Sequence, residues 1–208
     1  MTEEELLKEG KILPLSEEFY TIQGEGYHTG KAAYFLRLGG CDIGCSWCDT
    51  KEAWDSDKYE LISTDTIIKN IVSCPAKAVV VTGGEPLLNN LNYLCNELVD
   101  HEIETFLETS GTNEITGEWD WICLSPKKNR PPIEEIYKYA NELKVIVSEK
   151  EDLIWAEENA GKVNKNCYLF LQPEWTKKEI ILPEIIAYIL SHPKWRISNQ
   201  VHKFMGIP

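Results

Sequence analysis

Three cysteines stand within eight residues, Cys41-Asp-Ile-Gly-Cys45-Ser-Trp-Cys48, in a C-x3-C-x2-C spacing. Spacing this close lets one loop wrap three thiolates around a single inorganic centre. Thiolates select zinc or an iron–sulfur cluster. Structural zinc wants a fourth ligand, and none is adjacent; His28 or Cys74 would have to come from a distance. Three cysteines on a four-iron cluster leave one iron without a protein ligand, able to bind a small molecule and pass it an electron. The other cysteines, at 74, 95, 123 and 167, are scattered singly and read as packing residues. Seven cysteines, an odd number spread this way, do not make a disulfide framework, so a reducing cytoplasm is expected.

A second pattern, Thr82-Gly83-Gly84-Glu85-Pro86, follows a valine run. Two residues without Cβ let the backbone approach a ligand closely. Glu85 is placed to accept from an ammonium group, and Pro86 suits a first helical turn. The bland alternative is a plain strand-to-helix turn.

The elements that position these motifs are legible from apolar runs. Strands are expected at 33–38, 78–81, 105–107, 121–124, 143–147 and 168–171. Helices are expected at 64–72, 87–101, 151–160 and 178–190, with Ser63 or Thr64 capping the first. Short apolar strands alternating with helices give an α/β fold with a mostly parallel sheet. Polar or Gly-rich segments follow the strands directly, as expected of ligand sites at strand carboxyl ends. Six strands are too few for a closed eight-fold barrel, so an open partial barrel is expected. With few residues between strands, a reduced set of helices is expected as well.

The chain has 208 residues, with 21 Lys and Arg against 34 Asp and Glu, a net charge of −13. That opposes binding to a phosphate backbone or an anionic membrane surface. No stretch reaches the ~20 apolar residues of a membrane span. The acidic start reads as neither a secretory signal nor a transit peptide. One domain over 1–208 is expected, with 1–15 as an acidic N-terminal extension.

The cysteine spacing, the aromatic Trp47 before the last cysteine and the downstream Gly-Gly-Glu-Pro together resemble the radical S-adenosylmethionine superfamily. Further residues narrow the resemblance. Glu18-Phe-Tyr-Thr-Ile22-Gln23-Gly24-Glu25-Gly26 precedes Arg37 and the cysteine loop, Asp49-Thr50 follows it, and the chain ends Asn199-Gln-Val-His202-Lys-Phe-Met-Gly-Ile-Pro208. The set is similar to the 7-carboxy-7-deazaguanine synthase family from about Glu18 onward. Some members carry a long insertion in the cysteine loop; this chain has the short spacing.

The resemblance implies an open (β/α)6-type radical barrel, a four-iron cluster on Cys41, Cys45 and Cys48, S-adenosylmethionine and Mg2+. It implies that 6-carboxy-5,6,7,8-tetrahydropterin is converted to 7-carboxy-7-deazaguanine and ammonia. An electron from the cluster would cleave the cofactor, and the radical so formed would take hydrogen from C6 of the pterin before the ring contracts. Ile22, Gln23, Gly24, Arg37, Thr82, His202 and Pro208 would contact substrate, the last through its terminal carboxylate. Gly84 and Glu85 would lie at the cofactor's methionine. Ser125, Pro126 and Lys127, with Gln172, Pro173, Glu174 and Trp175, would line its adenosine side. Thr50 would help bind Mg2+. Residues 195–208 would reach the substrate site, pinned by Phe204, Met205 and Ile207. A homodimer, an electron donor such as flavodoxin or ferredoxin, and no nucleic-acid or membrane partner complete the expectation.

The residues are compatible with these roles. A pterin edge presents guanidine-like donors and wants acceptors, an Arg reads a carboxylate bidentately, and Mg2+ seldom has an all-protein cage. Two alternatives stay open at this level. A glycyl-radical activating enzyme shares the cysteine spacing but has no use for Gln23, Arg37 or a pinned chain end; a tag after Pro208 should leave it indifferent. A zinc-holding interaction module would purify colourless, with zinc in place of iron.

Overall fold

Short runs rich in Val, Ile and Leu, bounded by Gly, Pro or Asn, form one mixed sheet in the computed structural model, which describes residues 1–208. In chain order the elements are α1 (Glu3–Lys8), β1 (Ile12–Ile22), β2 (Ala32–Leu38), β3 (Leu61–Ser63), α2 (Thr64–Ser73), β4 (Ala78–Gly83), α3 (Asn92–Asp100) and β5 (Glu104–Thr109). There follow β6 (Trp121–Leu124), β7 (Glu142–Val147), α4 (Asp152–Ala160), β8 (Tyr168–Pro173), α5 (Lys178–Ser191), β9 (Trp195–Ile197) and α6 (Val201–Met205). The sheet order is β3-β1-β2-β4-β5-β6-β7-β8-β9. From β2 to β9 every neighbour is parallel, while β1 pairs antiparallel with both β2 and β3. The sheet is α/β, mostly parallel and not closed, as the alternation of strands and helices implies. No helix is long and apolar enough to cross a membrane.

The sheet has nine strands rather than six. β1 escapes a periodicity reading because Pro14 and the pair Glu17-Glu18 interrupt its apolar run, and β9 is only three residues long. The N-terminal segment also builds structure: α1 carries a capping box on Thr2, and Leu13 of β1 is buried in the core. The helix expected over 87–101 is broken. Pro86–Leu88 forms a 3-10 turn, Asn89-Asn90 ends it, and α3 starts at Asn92. Neither Ser63 nor Thr64 caps α2 with its side chain. The Thr64 hydroxyl instead donates to Gly10 O at 2.7 Å, fastening α2 to the segment before β1. The helical crossovers are sparse: β5 reaches β6 without a helix, and β6 reaches β7 through the 3-10 segment Glu134–Lys138 alone.

Side chains alternate across the sheet. Leu36, Val79, Leu107, Leu124, Val145 and Leu171 pack outward with Ile67, Leu94, Ile136 and Ile185 in the main core. Their neighbours in sequence face the other way. Ala33, Ala78, Val80 and Phe106 form a small inner cluster. Further along the same strands, toward their carboxyl ends, Arg37, Thr82, Glu108, Lys144, Ile146 and Gln172 line a cavity. The concave face is therefore apolar at its base and polar at its mouth.

Candidate active site

The cavity, about 370 Å³ in volume, is lined by the cysteine loop, the carboxyl ends of the strands, the β1–β2 loop and the C-terminal segment. Cys41, Cys45 and Cys48 all open into it. Burial pushes the Cys41 and Cys45 thiols above their ordinary value. The N–H groups of Ile43 and Gly44 face Cys41, the Lys127 ammonium faces Cys45, and Thr50 N–H donates to Cys48 Sγ at 3.4 Å. These donors would favour thiolates once a metal centre is present. No three His, Cys, Asp or Glu side chains converge as a single ion requires. The remaining cysteines are elsewhere: Cys95 and Cys123 are buried, and Cys74 and Cys167 pack against the core.

The glycine pair has a structural reason in this fold. A Cβ on Gly84 would stand 2.1 Å from Gly40 O and 2.6 Å from Cys41 Cβ, and one on Gly83 would stand 2.2 Å from Leu38 O. Gly84 N–H donates to Leu38 O and Glu85 N–H to Gly40 O. The end of β4 thus nests directly against the root of the cysteine loop, and Gly84 also lines the cavity.

Glu85 departs from expectation. It is buried and does not line the cavity. Its carboxylate accepts from Leu87 N, Thr109 Oγ1, Ser110 N and Ser110 Oγ, which fills its acceptor sites. The structure therefore gives Glu85 the work of holding Thr109 and Ser110, which do face the cavity, in place of direct contact with an ammonium. Pro126 is also buried and off the cavity wall, between Ser125 and Lys127, which line it.

All other residues singled out from the sequence line the cavity: Ile22, Gln23 and Gly24 on one side, Arg37, Thr50 and Thr82 across the sheet, Gln172 to Trp175 after β8, and His202 and Pro208. Several are already engaged within the protein. Arg37 Nε donates to Glu17 Oε1 at 2.6 Å across the β1–β2 pair. Lys127 Nζ donates to Ser125 O and Oγ and lies over the Trp47 ring. Glu174 caps the 3-10 turn Trp175–Lys177 by accepting from Thr176 and Lys177 N–H. Trp175 packs edge-on to Phe204 at 5.4 Å and under the Lys178 ammonium at 3.6 Å. Burial holds His202 below the ordinary histidine value, and a Cβ on Gly24 would stand 2.3 Å from His202 Nδ1.

The apolar residues expected to pin the C-terminal segment do so only in part: Ile207 is half-buried and Phe204 touches Trp175 edge-on. Phe204 and Met205 are exposed. The other anchors are polar: Val201 N–H donates to Gly24 O, Gln200 Nε2 to Glu25 Oε1 at 2.9 Å and Asp49 Oδ2 at 3.2 Å, Lys203 Nζ to Asp49 Oδ2 at 2.8 Å, and Thr21 Oγ1 to Pro208 O at 3.4 Å. Lys203 and Gln200 more than offset the burial that would raise the Asp49 carboxyl, bringing it down to about 2.

Sequence reasoning missed a buried charge network on the wall. Lys144 Nζ donates to Glu25 Oε2 at 2.6 Å and Glu108 Oε2 at 2.7 Å, and Gln23 Nε2 donates to Glu108 Oε1 at 3.1 Å. A usable signal existed. Lys144 is the one charge in Leu143-Lys-Val-Ile-Val, and a lysine inside a buried run is rare unless paired.

Residues 36–124 match the radical SAM superfamily model. The chain is 54% identical to a 7-carboxy-7-deazaguanine synthase of Flavobacterium psychrophilum, over 97% of this chain and 96% of that protein. It is 45% identical to one of Synechocystis sp., over 93% of both. It superposes on the crystal structure of QueE from Escherichia coli with a TM-score of 0.84 at 31% identity, covering 97% of this chain and 99% of that one.

Proposed function

The chain belongs to the 7-carboxy-7-deazaguanine synthase family, and from that premise we propose how its own residues divide the work. The activity is a ring-contracting lyase reaction of queuosine-type deazapurine biosynthesis, from 6-carboxy-5,6,7,8-tetrahydropterin to 7-carboxy-7-deazaguanine and ammonia. A four-iron cluster and S-adenosylmethionine belong to the superfamily; when bound, they supply one-electron cleavage and a hydrogen-abstracting radical.

Cys41, Cys45 and Cys48 hold the cluster. Gly84 gives the cofactor's methionine a backbone surface, with Thr109 and Ser110 fixed behind it by Glu85. Ser125, Lys127 and the segment from Gln172 to Trp175 form the adenosine side. Ile22, Gln23, Gly24, Thr82 and His202 hold the pterin, and Arg37, its orientation set by Glu17, reads a substrate carboxylate with its remaining donors. Pro208 brings the chain-terminal carboxylate to the same substrate. Thr50, its hydroxyl 3.3 Å from Asp49 Oδ1, offers an oxygen to Mg2+ beside bound substrate. A radical this reactive requires fixed distances and little water, so positioning is the protein's main contribution.

The observation that carries the reading is that the three loop thiols and the polar side chains of the strand ends open into one cavity. The reading takes 1–208 as one radical SAM domain, its last residues closing the substrate side. It also includes a cytoplasmic setting, a flavodoxin- or ferredoxin-type reductant and a homodimer. The outward Ile180, Ile186 and Leu190 of α5, all exposed, give a second copy an apolar face. The test is an anaerobic incubation of iron-loaded protein with the tetrahydropterin, reductant and S-adenosylmethionine, read by mass spectrometry. The deazaguanine mass is expected, and its absence with intact cluster absorbance would overturn the reading.

A further inference from the structure

We propose that Lys144 is a positioning residue for the pterin: clamped between Glu25 and Glu108, it fixes the two carboxylates as one fork for the guanidine-like edge of the substrate. The inference rests on the functional reading above and adds residues that reading does not use.

Three separate elements build the fork. Glu25 comes from the β1–β2 loop, Glu108 from β5 and Lys144 from β7, with Lys144 lying 119 and 36 residues from its partners in sequence. The exposures set the order of the layers. The Lys144 side chain is 5% accessible, against 17% for Glu25 and 21% for Glu108. All three line the cavity, the ammonium as the least accessible member and the carboxylates as the more open ones. Each carboxylate gives Oε2 to Lys144 and Oε1 to an amide: Glu25 to Gln200, and Glu108 to Gln23. A carboxylate has about four acceptor sites, so both retain sites for donors arriving from the cavity.

Charge requires the lysine. Two carboxylates this close, buried and unpaired, do not both ionise. Burial would raise the Glu25 carboxyl, and Lys144 reverses that and holds it below its ordinary value. Burial would lower the Lys144 ammonium, and the anionic groups around it push it well above its ordinary value instead. With one ammonium between two carboxylates the triad keeps one net negative charge, which suits a donor-rich ligand edge. The other titratable groups facing the triad are Cys123 on β6, Glu142 at the start of β7, Lys127 after β6, His202 on α6 and His28 in the β1–β2 loop. His202 itself titrates, so variants must be compared by the difference between their pH profiles.

The test uses iron-loaded protein with S-adenosylmethionine, and calorimetric binding of 6-carboxy-5,6,7,8-tetrahydropterin without oxygen. Lys144→Met should weaken binding by about thirtyfold near pH 7, as expected for one stranded partner of a buried ion pair. Its affinity should recover as pH rises toward about 9, because the carboxyl that became protonated must ionise again. Lys144→Arg, which keeps the charge, should stay within about threefold of wild type with the wild-type profile. Adding Glu108→Gln to Lys144→Met leaves a single carboxylate, so affinity should stay weak but lose the added pH dependence. Iron content after anaerobic reconstitution should stay at the wild-type level in all three variants. Wild-type affinity and profile in Lys144→Met, or a loss in Lys144→Arg as large as in Lys144→Met, would overturn the proposal. Should Lys144→Met fail to fold, Lys144→Arg and the double variant carry the test, and wild-type affinity in the double variant overturns it. If wild-type protein itself does not bind the pterin, it is the functional reading that falls.

Discussion

At the base of the concave face, Tyr27 and His28 stack on Trp121, Tyr168 and Phe106, with ring centroids 4.2 to 4.7 Å apart in the closest pairs. At its mouth, two to four residues further along the strands, Glu108, Lys144 and Gln172 face the cavity. A single loop serves both ends: Gln23 to Glu25 form the mouth, and Tyr27-His28 form the plug. The ends treat carboxylates differently. Glu25 and Glu108 have both oxygens engaged. Glu142, at the base, accepts Tyr27 N–H and Trp121 Nε1–H on Oε2, while its buried Oε1 has no partner. Burial, with Glu108 adding to it against Lys144, pushes Glu142 up to about 7. Period-two alternation thus supplies a rigid plug and a reactive mouth from the same strands, and the state of a carboxyl follows from which end it occupies.

The two ends should separate under mutation. At the mouth, Cys41→Ala, Cys45→Ala or Cys48→Ala should abolish turnover and lower iron content after anaerobic reconstitution, while denaturant unfolding changes little. Near-wild-type product from any of the three would break the contrast. At the base, Phe106→Ala should cost about 3–5 kcal/mol of stability in urea unfolding and leave pterin affinity of the folded protein unchanged.

Glu142→Gln should sharpen the contrast through pH. The folded carboxyl titrates near 7 against an ordinary 4.5, so the folded state holds the extra proton between those values. Wild-type stability should therefore fall relative to the variant as pH climbs from about 5 to about 8, by up to about 3 kcal/mol. A constant difference across that window would mean the carboxyl is ionised throughout. The smallest effect belongs to the rim of the base, where Lys31 pairs with Glu104 and both side chains are a third or more exposed. Lys31→Ala should change unfolding by less than about 1 kcal/mol, and less still in high salt.

Much of this arrangement is written locally in the chain. The cysteine loop, Gly83-Gly84 and the apolar runs of β2, β4, β6 and β7 announce themselves within a few residues. β1 does not, because only Leu13 and Pro14 of its side chains are buried and its polar residues break the alternation. The cavity's charge network is also hidden. Lys144 and Glu108 are single residues on strands, and nothing short of the folded sheet brings them together with Glu25. Glu85 misled for the opposite reason: its motif is conspicuous, but its carboxylate is spent on Thr109 and Ser110.

The cysteine loop is tied down at its root and early turn, and again just past Cys48, where Gln200 and Lys203 hold Asp49. Gly40 and Cys41 are stitched to Glu85 and Trp54 through backbone bonds, Ile43 O is held by Asn129, and Asp42 by Arg130. Gly44, by contrast, has a left-handed φ of 69° and would meet nothing within 4 Å if given a side chain. Extra polypeptide spliced in beside Gly44 would project into solvent and leave the root of the loop registered to β4. That makes Gly44 a natural graft point, where a reporter peptide or a docking tag could be installed a few residues from the chemistry without resetting the height of the first thiol above the sheet.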